Sequence, residues 1–176
     1  MPAEEKLIMK TLPIALISIL LVPATAHSQS AVPACDAPEH RQFDFWQGDF
    51  EVRTGDAKLA GHNHIESILG GCALQEHWTG AGGGKGRSIN FYDRSDGKWH
   101  QVWIDARGQS LFLSGKLEGQ AMVLEGETRD ADGKTSLQRI TWTPLPDSRV
   151  RQHWQSSEDA GASWTTAFDG YYTRKP

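Results

Sequence analysis

From Gly48 onward the chain is cut at short, even intervals by turn chemistry, and only strands fit between the cuts. The cuts are Gly55-Asp56, Gly70-Gly71, Gly80 to Gly84, Asp93-Arg94-Ser95-Asp96-Gly97, Asp105-Ala106-Arg107-Gly108, Glu118-Gly119, Asp130-Ala131-Asp132-Gly133, Pro144-Leu145-Pro146-Asp147 and Glu158-Asp159-Ala160-Gly161. Glycine supplies the positive φ and aspartate bonds its own backbone, which is what hairpin turns require. The runs between them are rich in Trp, Val, Ile, Thr, Tyr and Phe, and none beyond residue 50 sustains a helical apolar period. Short, evenly spaced strands of this kind predict an all-β domain of about ten antiparallel strands. Every connection is hairpin-sized, so an up-and-down meander closed into a barrel is the simplest topology, and closure removes exposed sheet edges. The one segment that reads as a helical turn is Pro38 to Trp46, where Phe43, Phe45 and Trp46 offer an apolar plug for one barrel end.

Alternation assigns the faces of each strand. Trp99, Gln101 and Trp103 share one face of the fifth strand, and His100, Val102 and Ile104 share the other. A regular hairpin before it sets Asn90 opposite Gln101 and Tyr92 opposite Trp99. Upstream, Cys72, Leu74, Glu76 and Trp78 align; downstream, Val150, Gln152 and Trp154 do so. In these rows a polar side chain alternates with tryptophan or tyrosine. A barrel packed solid fills such positions with Val, Leu and Ile, whereas a mixed aromatic and polar lining suits a small-molecule cavity. The candidate ligand-binding residues are therefore Glu76, Trp78, Asn90, Tyr92, Gln101, Trp103, Arg139, Gln152 and Trp154. Arg139 belongs with them in one register only, since a slip of one residue reverses its face. A second reading stays open, in which the same polar groups face solvent or form a satisfied internal network in a filled barrel.

What precedes the strands points to export. An apolar run from Leu12 to Val22, interrupted by Pro13 and Ser18, leads to Pro23-Ala24-Thr25-Ala26, the layout of a secretory signal with cleavage after Ala26 and a start best placed at Met9-Lys10. The run is too short to span a bilayer, so no stable membrane insertion is expected. The expected organisation is residues 1–26 as signal peptide, 27–42 as an N-terminal segment, and 43–176 as the barrel, with a periplasmic or secreted destination. In that compartment the two cysteines, Cys35 and Cys72, are expected to form a structural disulfide; they lack the close spacing of redox pairs. The net charge is -4, and residues 1–26 hold two acids and two bases, so the mature domain stays mildly acidic. That balance gives no electrostatic reason to bind nucleic acid or an anionic membrane.

Several motifs invite a sharper reading and do not sustain it. His62-Asn63-His64-Ile65-Glu66 puts two imidazoles and a carboxylate on one strand face, but Leu59, Ile65 and Leu69 mark the opposite face as buried, which turns the histidines to water. Gly80-Ala81-Gly82-Gly83-Gly84-Lys85-Gly86 resembles a phosphate loop only superficially: glycine stands where Ser or Thr should follow the lysine, and no helix follows. A hairpin at the barrel mouth is the better reading. Ser157 to Trp164 fits S-x-D-x-G-x-x-W and resembles the Asp-box hairpins of sialidase propellers, where the motif is a folding device; a single copy supports a hairpin only. No G-x-S-x-G elbow and no H-E-x-x-H helix is present.

The segment Phe43-Asp44-Phe45-Trp46-Gln47-Gly48-Asp49-Phe50-Glu51-Val52 resembles the F-D-F-W-x-G-x-W-x-V opening of bacterial lipocalin-like proteins of unknown function, departing from it at Phe50. Gly71-Cys72-Ala73-Leu74-Gln75-Glu76-His77-Trp78, Ser88 to Asp93, Trp99 to Asp105 and Ile140-Thr141-Trp142 extend the resemblance over nearly the whole barrel. It implies a calycin-type barrel, often exported, without an activity to transfer. Nitrobindin-like haem barrels are more distant in shape and imply an axial histidine on a late strand; the last strand here has none, and His153 lies one strand too early. The expected function is binding of a small, partly apolar molecule, with no cofactor, metal ligand or catalytic residue assigned. The alternatives are a haem barrel, an enzyme using Glu76 with Arg139 on a bound substrate, and a structural or interaction domain with a filled barrel.

Overall fold

A computed structural model describes residues 35–176. The expected signal peptide and cleavage site, and the first half of the segment 27–42, lie outside the described residues. Ten strands follow one another: β1 (Gly48–Thr54), β2 (Leu59–Ile68), β3 (Ala73–Gly80), β4 (Lys85–Asp93), β5 (Lys98–Asp105), β6 (Ser110–Glu118), β7 (Ala121–Arg129), β8 (Thr135–Pro144), β9 (Val150–Ser157) and β10 (Thr165–Arg174). Each pairs antiparallel with the next, and β1 pairs with β10 to close the barrel. The fold is the up-and-down barrel expected from the turn spacing. Among the described residues no helix is long and apolar enough to cross a membrane.

The turns work as their composition requires. In the β4–β5 hairpin the Asp93 carboxylate accepts from the Ser95 backbone N–H at 2.8 Å and Asp96 accepts from Lys98 at 3.0 Å, while Gly97 supplies the positive φ of 69°. This hairpin sets the register, placing Asn90 opposite Gln101 and Tyr92 opposite Trp99. The glycine-rich segment forms the β3–β4 hairpin, closed by the Gly80 N–H on the Gly84 carbonyl at 2.7 Å, and runs into a strand rather than a helix. The Asp-box segment is the β9–β10 turn: Asp159 accepts from the Ser163 N–H and from the Ser157 and Ser163 hydroxyls, and these bonds, Ser163 first, lower its carboxyl to about 2.

Faces follow alternation almost everywhere. His62, His64 and Glu66 are exposed on β2 while Gly61, Asn63 and Ile65 are buried. Leu69 departs from expectation: it is 76% exposed, because the strand ends at Ile68 and Leu69 enters a 3-10 turn (Leu69–Gly71) at φ 53°. Leu59, at the mouth end of β2, is also exposed.

The plug is two short 3-10 turns, Pro38–Arg41 and Asp44–Trp46. Phe43 and Trp46 are fully buried, stacked on each other at 5.0 Å, and Phe43 meets Trp99 and Trp142 edge-on. The Trp99 indole N–H donates to the Glu39 carbonyl and to the Gln42 side chain, both at 3.2 Å, tying the strand to the plug. Cys35 and Cys72 are joined in a disulfide with Cα atoms 4.9 Å apart, so the segment entering the plug is stapled to the start of β3. Arg41 bridges the same two stretches through the Cys35 and Gly71 carbonyls.

Candidate functional site

The plug closes one end, and the inner wall changes character toward the other. Near the plug it is apolar, with Ile65, Leu74, Trp99, Trp142 and Val150 buried. One step along each strand comes a band in which polar side chains occupy one arc of the circumference. Gln152 on β9, Tyr172 on β10, Asn63 on β2, Glu76 on β3, Ser88 and Asn90 on β4, and Gln101 on β5 are joined edge to edge around that arc. The remaining arc, on β6 to β8, is Leu111, Leu113, Met122, Leu124 and Ile140.

The polar arc is one continuous hydrogen-bond chain. Gln101 donates to Asn90 at 2.8 Å, Asn90 to the Ser88 hydroxyl at 2.8 Å, and Ser88 to one Glu76 oxygen at 2.6 Å. Asn63 donates to the other Glu76 oxygen at 2.7 Å and more weakly to the Tyr172 hydroxyl at 3.5 Å, which itself donates to Gln152. Antiparallel register brings these together, since Asn90 faces Gln101, Glu76 faces Ser88 and Asn63 neighbours Trp78 across the strands. Glu76 is 3% exposed and its bonding partners are neutral. Burial pushes its carboxyl up to about 6, against the lowering effect of the bonds from Ser88 and Asn63 and of the Arg87 charge. The Tyr172 phenol is held well above its ordinary range by burial and by the Glu76 charge.

This site makes a stability prediction. An unfolded glutamate titrates near 4.5 and folded Glu76 near 6, so the stabilising contribution is complete below the lower value and is lost as pH rises through the upper one. The shift corresponds to about 2 kcal/mol. Urea unfolding at acid and neutral pH should show the protein losing about 2 kcal/mol relative to Glu76→Gln across that window. Parallel profiles would mean that the carboxylate is solvated.

Beyond the polar band lies a cavity of about 230 Å³ lined by Glu76, Trp78, Gln101, Trp103, Leu111, Ile140, Gln152, Trp154, Ala167, Phe168 and Tyr172. Trp78, Trp103, Leu111 and Trp154 also wall a second recess of about 330 Å³ formed with Gly84, Lys85, Asp105 to Arg107, Gln109 and Ser110 at the barrel mouth. Two glycines shape the opening. A Cβ on Gly86 would lie 2.1 Å from the Trp103 ring, and one on Gly61 would lie 2.8 Å from the Trp78 ring. Each indole thus rests against bare backbone on the neighbouring strand, which leaves the lumen clear.

The structure brings six of the nine sequence-derived candidates to the cavity wall: Glu76, Trp78, Gln101, Trp103, Gln152 and Trp154. Asn90 is buried behind Gln101 and acts on the cavity only through the chain of bonds. Tyr92 lies toward the plug, edge-on to His40 at 5.4 Å and against Trp99. Arg139 is corrected to the outer face, where it pairs with Glu125 and covers Trp164 at 4.0 Å. The register that turns Ile140 to the lumen excludes it, and with it the proposed Glu76–Arg139 pair. Gln138 points inward instead, accepting from the Trp154 indole at 2.7 Å and donating to Thr128.

Asn63, Ser88, Phe168 and Tyr172 belong to the polar band or the cavity wall and are not among the sequence-derived candidates. Asn63 sits between the two histidines that drew attention, yet it alternates with buried Ile65. Ser88 precedes Asn90 by two, and Phe168 and Tyr172 flank inward Gly170 in the same parity. Among the described residues no histidine lines the cavity, and His153 bonds the Thr166 hydroxyl at 2.9 Å on the outer face, so no described histidine stands as an axial haem ligand. Asp93, Asp96 and His100 bring ligand atoms within 4.8 Å of one another, but Asp93 and Asp96 already hold turn backbone and Asp96 holds His100 at 3.0 Å. Compared with models of known families the chain matches none, and no curated protein matches it.

Proposed function

We propose that this protein is an exported, lipocalin-like binding protein that holds a small, partly apolar molecule in the barrel. The observation that carries this reading is the cavity above the polar band, open between Trp78, Trp103 and Trp154 and asymmetric in its chemistry. Apolar walls supply binding and a few fixed polar groups orient the ligand, which is the division of labour in small-molecule sites. The polar groups are pre-organised by their own chain of bonds, so ordering costs on binding are small. Export is supported by the Leu12 to Ala26 segment and by the Cys35–Cys72 disulfide, which persists in oxidising compartments.

Titrating intrinsic tryptophan fluorescence against a library of small metabolites tests the reading, because three indoles line the cavity. Trp103→Ala and Gln101→Ala should weaken the ligand found by roughly tenfold each, through lost contact area and a lost orienting group. Gly86→Val deletes no lining group yet should abolish binding by displacing the Trp103 ring into the lumen. No ligand that perturbs fluorescence would leave the barrel as a filled structural domain, and unchanged affinity in Gly86→Val would put the ligand outside this cavity.

A further inference from the structure

The cavity holds one charge and no countercharge. Among the residues that line it only Glu76 is ionisable near neutral pH, and none is Lys, Arg or His. An anionic ligand seated against Glu76 would meet the carboxylate unopposed, since Lys85 and Arg107 line the mouth recess beyond the indoles and not this cavity. A neutral ligand would leave that buried charge uncompensated. A carboxylate offers about four acceptor positions, and Asn63 and Ser88 use one on each oxygen, so positions remain for a donor arriving from the lumen. The faces of Trp78, Trp103, Trp154 and Phe168 carry the negative quadrupole that attracts cations. Resting on the binding function above, we propose that the ligand is a small organic ammonium ion, its nitrogen donating to Glu76 and its apolar body lying among those four rings. Gln101 and Gln152 flank the nitrogen and supply further carbonyl acceptors.

The rest of the site agrees with a cationic occupant. Among the described residues Glu76 has no positive partner inside the barrel, and burial has raised its carboxyl to about 6, so an ammonium would restore the ionised form. The groups facing it are Asn63 from β2, Ser88 from β4 and Tyr172 from β10, none of which titrates between pH 5 and 8, and the Arg87 charge acts on it from the outer side of β4. Glu76 alone therefore sets the pH dependence of binding. A net charge of -4 adds a long-range field that favours a cation.

Calorimetric titration with phenethylamine, 2-phenylethanol and phenylacetate separates the cases, since the three share a ring and differ in charge. At pH 7.5 phenethylamine should bind at least tenfold more tightly than 2-phenylethanol, with phenylacetate weakest. Its affinity should fall about tenfold on going to pH 5, as Glu76 takes up a proton, while that of 2-phenylethanol stays flat. Glu76→Gln should remove the preference for phenethylamine and leave 2-phenylethanol binding intact, which also reports that the variant is folded. If that variant does not fold, the order of the three ligands and the pH profile on the unaltered protein decide. Binding of 2-phenylethanol as tight as phenethylamine, or a preference that survives Glu76→Gln, overturns the ammonium assignment and leaves a binding cavity standing. Failure of all three to bind overturns the ammonium assignment alone, and the fluorescence titration against the metabolite library then decides the binding function separately.

Discussion

Trp46→Ala should cost the protein about 3 to 5 kcal/mol, the range for emptying a fully packed tryptophan site. In thermal unfolding that is a loss on the order of 10 °C or more for a domain of this size. The size of the effect follows from where the side chain sits. Trp46 is completely buried, stacked on Phe43 at 5.0 Å, tilted against Trp142 at 5.3 Å and edge-on to Tyr172 at 6.4 Å. The 3-10 turn that carries it is too short to hold itself, so the aromatic contacts are what keep the plug in the barrel end. Trp46→Phe should cost far less, because the indole N–H has no hydrogen-bond partner to lose. If Trp46→Ala unfolds within a few degrees of the unaltered protein, the plug is an accessory and the strands close the core alone. Tyr172 makes the consequence functional, since its ring packs on the plug and its hydroxyl belongs to the polar arc.

The barrel was legible because its two periods, strand alternation and turn spacing, are local properties of the chain. Trp99, Gln101 and Trp103 alternate strictly, and Asp93 to Gly97 can hardly be anything but a turn, so face and register followed without knowledge of the rest. Arg139 shows where such reasoning stops. The turn before β8 spans Asp130 to Lys134, and its length does not fix which of Gln138 and Arg139 begins the inward series; closure against β7 and β9 fixes it. Tyr92 shows a second limit. Its face is inward as alternation requires, but height along the barrel decides between plug and cavity, and height depends on the shear of the closed sheet rather than on any one strand. Asn63 was overlooked for a different reason. Its neighbours His62 and His64 carry more conspicuous chemistry, whereas the residue that reaches Glu76 is the inconspicuous amide between them. The unpaired charge of Glu76 is likewise invisible in the sequence, where Arg139 offers a partner that the register puts on the outer face with Glu125.

Replacing Cys35 and Cys72 together by serine should destabilise the protein by about 4 kcal/mol, the loop-entropy value for a bridge of 37-residue separation. Equilibrium unfolding of the double variant, compared with the oxidised protein, reads this directly. The cost should not add to that of Trp46→Ala. Both changes act on the chain between Cys35 and β1: the disulfide limits how far it can stray, and the aromatic stack seats it. Once the plug is loosened by Trp46→Ala, the tether holds a segment with less to lose in the folded state, and once the tether is cut, seating carries an extra entropic cost. A double-mutant cycle should therefore show a coupling of about 1 kcal/mol or more, well above the scatter between independent sites. Arg41 gives the internal control. It links the Cys35 and Gly71 carbonyls, so Arg41→Met should lose stability with the disulfide intact and lose more when it is cut, because the same two stretches then have no other crosslink. Strict additivity among the three sites would mean that plug, staple and bridge stabilise separate parts of the barrel.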